Sequence, residues 1–99
     1  MSALVELQQW YLSQCNGDWE HQHGVKIDTL DNPGWSVRVD LTDTDLLDQP
    51  FTEVQRTEHE TEWITCRVRG GQFEGFGGPL MLEEILRTFL AWATATNRT

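Results

Sequence analysis

Basic side chains are scarce in this chain: seven Lys and Arg stand against sixteen Asp and Glu, for a formal net charge of −9. A surface of that sign repels nucleic acid and anionic membranes, whose phosphates are held by Lys and Arg. Long apolar runs are missing as well, and none approaches the roughly 20 residues that span a bilayer. Met1 to Tyr11 has neither the basic residue nor the apolar stretch of a secretory leader. The reading is a cytoplasmic protein with no nucleic-acid or membrane partner. Cysteine is limited to Cys15 and Cys66, far apart and without CxxC or metal-knuckle spacing. Both are expected as buried thiols in a reducing compartment. Internal repeats and low-complexity segments are absent too.

What is present suits one folded domain over residues 1–99. Hydrophobic residues make up 38% and five tryptophans occur, a composition too aromatic for a disordered chain. Ser2 is a suitable N-cap for a helix to about Cys15, with Leu4, Leu7, Tyr11 and Cys15 on its buried face and Trp10 and Leu12 broadening it. Asn16-Gly17 supplies the stop. Val25–Leu30 alternates as a strand, Asp31-Asn32-Pro33-Gly34 is a turn, and Trp35, Val37, Val39 and Leu41 alternate in the clearest half-buried strand. Thr42 to Pro50 reads as a loop or single helical turn anchored by Leu46 and Leu47. Phe51 to Glu58 and Trp63 to Arg69 make a second antiparallel pair across a His59–Glu62 turn. Gly70-Gly71 then leads into a strand at Gln72 to Phe76. Pro79 fits the first turn of a closing helix whose stripe is Leu82, Ile85, Leu86, Phe89 and Ala93. The fold class is therefore α+β: an antiparallel meander of four to five strands, with the N-terminal and C-terminal helices packed on one face.

Candidate chemistry is thin. Asp18, Glu20, His21 and His23 are metal-ligand types within six residues, but an extended segment would turn the acids and the imidazoles to opposite sides. A polar loop bonded to its own backbone is the better reading, and no metal or cofactor is expected. Cys66-Arg67-Val68-Arg69-Gly70-Gly71 is loosely similar to the cysteine loop of rhodanese-type sulfurtransferases, where flanking arginines lower a thiol pKa. Here Ile64, Cys66 and Val68 alternate as a strand, which favours a buried thiol. Gly75 to Pro79 lacks the lysine of a P-loop, and no serine has a nucleophile-elbow setting. A small metal- or thiol-dependent enzyme remains the alternative; the reading of these residues is no enzyme.

Binding is better supplied. Asp40 to Glu62 carries eight acids (Asp40, Asp43, Asp45, Asp48, Glu53, Glu58, Glu60 and Glu62) against Arg56 alone. Such a segment can steer a basic protein partner. Trp19, in the loop, and Trp63, opposite Ile64 and Cys66, are the two tryptophans placed to be exposed anchors.

Gly17-Asp18-Trp19-Glu20-His21, Thr29-Leu30-Asp31-Asn32-Pro33-Gly34-Trp35, then Trp63, Cys66, Phe73, and Gly75 with Gly77-Gly78-Pro79 resemble the immunity protein 53 family of bacterial polymorphic toxin systems. The likeness runs from Trp10-Tyr11 to Phe89 and Trp92. It implies a small protein made beside a toxin, which binds that toxin and protects the producing cell. Many immunity proteins against nucleases are acidic and imitate the substrate's charge, which would place Asp43, Asp45, Asp48, Glu58, Glu60 and Glu62 in the interface. The tract from Asp18 to Trp35 is expected to be a fixed turn framework, with Asp18 and Asp31 accepting backbone N–H bonds.

Overall fold

The structure, a computed structural model, describes residues 2–57 and 59–96. Helix α1 spans Ala3–Gln14 and begins where expected: the Ser2 hydroxyl accepts the Val5 N–H at 3.2 Å. Its buried face is Ala3, Leu7 and Trp10, not Leu4, Leu7, Tyr11 and Cys15. Leu4 is 55% and Leu12 71% exposed, and Cys15 is only half-buried. Both stripes obey helical spacing and share Leu7, so periodicity alone does not choose between them. The tryptophan decides, because its ring meets Phe89 edge-on with centroids 4.9 Å apart. Tyr11 stays at the surface.

Five antiparallel strands follow a four-residue helix, α2 (Trp19–Gln22): β1 (Val25–Leu30), β2 (Gly34–Asp40), β3 (Val54–Arg56), β4 (Ile64–Arg69) and β5 (Gln72–Gly77). The helix α3 (Leu82–Thr96) closes the fold, which is α+β as the sequence indicates. The strand order is β1-β2-β5-β4-β3. This corrects a plain meander: β5 inserts between the two hairpins, and β2 reaches the far edge only through residues 41–53. Leu41 and Leu46 are buried along that connection, while Leu47 is exposed. Gly70 and Gly71 both have positive φ, +61° and +78°, as a two-residue hairpin turn requires.

Register puts Trp35, Val37 and Val39 of β2, Phe73 of β5, and Ile64, Cys66 and Val68 of β4 on one side. Here α3 packs with Ile85, Leu86, Phe89, Leu90 and Ala93 buried. Helix α1 rests mainly against α3, tied by Arg87 Nη1 to Glu6 Oε2 at 2.6 Å. The close approach of α3 depends on Gly75, since a Cβ there would overlap Ile85 Cγ2. Pro79 does not enter the helix. It lies in a turn three residues before Leu82, and its carbonyl accepts the Trp35 indole N–H at 3.0 Å. The helix side is thus fully used, and the other sheet face has no covering element among the described residues.

Candidate functional site

Within the Asp18–His23 segment a short helix, α2, replaces the expected loop, and Asp18, Glu20, Gln22 and His23 already have partners. Asn16 Oδ1 accepts the N–H groups of Asp18 and Trp19, and the Glu20 carboxylate reaches back to the N–H groups of Asn16 and Gly17. This is a reciprocal cap of the capping-box kind. Glu20 bonds its own backbone N–H as well, and these amides hold its carboxyl below the ordinary range. The Asp18 carboxylate caps no backbone group; it accepts the Gln22 side-chain amide at 3.1 Å. Asp31 is exposed and accepts no hydrogen bond among those of the described residues. The expected turn framework is therefore built by Asn16 and Glu20, because their side chains, and not those of Asp18 and Asp31, face the free amides.

Trp19 is 3% exposed, which overturns its role as an open anchor. Helix α2 turns its ring inward against Trp10 and Tyr11, and its indole N–H bonds the Thr42 carbonyl at 2.9 Å. His23 Nδ1 lies 2.7 Å from Asp40 Oδ2, while Asp40 Oδ1 accepts the Thr42 N–H at 3.0 Å. Partial burial works against the Asp40 charge, but the Thr42 and His23 hydrogen bonds outweigh it and leave the pKa below the ordinary value. Among the described residues no three His, Cys, Asp or Glu side chains are grouped to hold a metal ion.

The acids of the Asp40–Glu62 segment divide between the two ends of the sheet. Asp43, Asp45 and Asp48 follow β2 in the connection to β3, and Asp43 Oδ2 is 4.0 Å from His23 Nε2 at the end of α2. Glu60 and Glu62 lie in the β3–β4 turn at the opposite end, and Glu58 lies outside the described residues. Strands of six residues hold the two groups about 20 Å apart. Trp63 is half-buried beside the second group, where its carbonyl accepts the Gly78 N–H at 3.0 Å.

A surface the sequence reading passed over is the open sheet face. Register aligns Lys26, Arg38, Glu74 and Arg67 in one row across β1, β2, β5 and β4, with Asp28, Ser36, Phe76 and Thr65 in the row beside it. The Arg38 and Arg67 guanidinium carbons stand 5.6 and 5.5 Å from the centre of the Phe76 ring. Glu74 gives its short bond to Arg67 Nε, 2.8 Å, and a looser 3.9 Å contact to Arg38 Nε. Arg69 shares this face, so four of the seven basic residues lie here. Alternation in β2, β4 and β5 held that signal, but only the strand order brings these residues together. At the α2 end a cavity of about 330 Å³ is lined by His21, Gln22, His23, Gly24, Val25, Lys26, Arg38, Asp40 and Gln72.

Cys66 is fully buried, and burial pushes its thiol up to about 11. That is the opposite of an activated nucleophile. The arginines of its strand point to the other face. The described residues also include no helix long and apolar enough to cross a membrane.

Comparison with known proteins adds one match. The family model described as immunity protein 53 matches residues 4–94. No curated protein and no solved structure shows a significant match to the chain.

Proposed function

The chain belongs to the immunity protein 53 family, and from that premise we propose that it binds a bacterial toxin and neutralises it in the cell that makes both. The family match, which spans nearly the whole chain, carries this reading. The chemistry of the surface supports it. Glu20 is spent on capping and His23 on Asp40, and the one thiol in the sheet is buried and hard to ionise, so a metal- or thiol-dependent enzyme has little to work with. Exposed charge lies in discrete groups, which suits recognition of another protein.

The interface we assign first is the acidic end formed by Asp43, Asp45 and Asp48, with Glu60, Glu62 and Trp63 as a separate contact at the far end. A basic toxin site, such as a nuclease presents to phosphates, is the complementary surface. Binding to the toxin domain encoded beside this chain, measured at rising salt, tests the reading. The expected result is an association rate that falls with ionic strength. It should fall further in the variant Asp43→Asn/Asp45→Asn/Asp48→Asn. Salt-insensitive binding with full protection by that variant would remove the acidic end from the interface. Absence of any binding would remove the toxin.

A further inference from the structure

We propose that the cavity between α2 and the open faces of β1 and β2 receives a carboxylate side chain of the toxin, held between Lys26 and Arg38. The inference rests on the toxin-binding reading and adds a contact of opposite sign to the acidic end.

Lys26 and Arg38 are directly opposite each other in the β1–β2 register. Like charges in that position destabilise a sheet, and this chain has sixteen acids from which a neutralising neighbour could be drawn. None serves. Asp40, in the cavity lining, is bonded by His23 and by the Thr42 amide. Glu74, next in the row, gives its 2.8 Å bond to Arg67 and only a 3.9 Å contact to Arg38. No ion pair reaches Lys26 among the described residues, and the Arg38 side chain is 44% exposed.

The cavity brings these two cations together with the amides of Gln72 and of Gln22, which also bonds Asp18, and with the imidazole of His21; its one acid, Asp40, is held by His23 and the Thr42 amide. An acceptor with two oxygens fits that donor set, since a guanidinium pairs a carboxylate through two parallel N–H bonds. At about 330 Å³ the space admits a side chain and the turn that carries it. A nucleic acid fits poorly, because two cations cannot offset the repulsion of a chain at −9. A mixed interface, with acids on the 41–50 loop and cations in the adjoining cavity, also fixes orientation in a way that one sign of charge cannot.

Lys26→Gln and Arg38→Gln, assayed against the toxin domain encoded beside this chain, test the proposal. Arg69→Gln, on the same face but outside the cavity, is the control. Each cavity variant is expected to weaken toxin binding about tenfold, with the control at wild-type affinity. Lys26→Gln should keep or raise the melting temperature, because it removes the facing charge; a structural role would lower it. Wild-type affinity in both cavity variants, while the unaltered protein still binds, overturns the carboxylate contact and leaves toxin binding intact. If inorganic phosphate binds the unaltered protein and both variants lose that binding but keep toxin affinity, the site takes a free anion and the proposal is wrong. If the unaltered protein does not bind the toxin domain at all, the toxin reading falls and the contact falls with it.

Discussion

Asn16 holds more of the α2 region than its place in a loop suggests. Its side-chain oxygen takes two backbone N–H groups that nothing else satisfies, and Glu20 returns the favour to the amides of Asn16 and Gly17. Asn16→Ala should therefore cost about 1 kcal/mol in a denaturant titration, the usual loss for a capping residue. Asp18→Ala, which removes only an exposed bond to Gln22, should cost well under half of that. Asp40 gives a second expectation at this scale. Its folded pKa lies below the ordinary 3.8, so its contribution to stability is complete above that value. The contribution is lost as pH falls from 3.8 through the folded pKa. Melting curves through this acid range should show a smaller loss for Asp40→Asn than for the unaltered protein. Asp18 was legible in the sequence as part of a turn framework, but which side chain accepts the amides depends on backbone angles that residue type does not fix.

At the scale of elements, every helix and strand except α2 can be placed from periodicity and turn residues. The exception is short enough that one turn of helix and a polar loop share a composition. Two features of packing were not legible. The rotation of α1 follows from Trp10 meeting Phe89, a contact between residues far apart in the chain. The pairing of β2 with β5 has the same non-local origin: local signals identify strands but not which edges join. Gly75 shows what the joined sheet demands. In β5 it faces Ile85 of α3, and any Cβ there must displace the helix or the isoleucine. Gly75→Ala is expected to destabilise the protein by about 1–3 kcal/mol, the cost of overpacking a filled core. A melting temperature equal to that of the unaltered protein would show that α3 can shift without penalty.

Across the whole molecule, charge is sorted by place. Asp43, Asp45 and Asp48 lie at one end of the sheet and Glu60 and Glu62 at the other, while four of the seven bases lie on its open face beside Asp28 and Glu74. A run that reads as one acidic segment in sequence becomes two groups about 20 Å apart once β3 and β4 reverse the chain. That distance exceeds the roughly 8 Å screening length at physiological salt. The two ends should then act independently. Neutralising Asp43, Asp45 and Asp48 together with Glu60 and Glu62 should change the logarithm of toxin affinity by the sum of the separate changes, within error. A marked departure from additivity in those titrations would mean that one toxin element spans both ends.

The insertion of β5 at the middle of the sheet has a consequence for the order of synthesis. During translation β1 and β2 emerge early, then β3 and β4, yet neither hairpin has a partner until β5 joins them. An isolated two-stranded hairpin is marginal in water, and here α3, which buries the shared face, emerges later still. Nothing resembling the finished surface exists until β5 and α3 have been made. On the toxin-binding reading, protection begins only once β5 and α3 have been made, and a message ended before them yields no partial antidote.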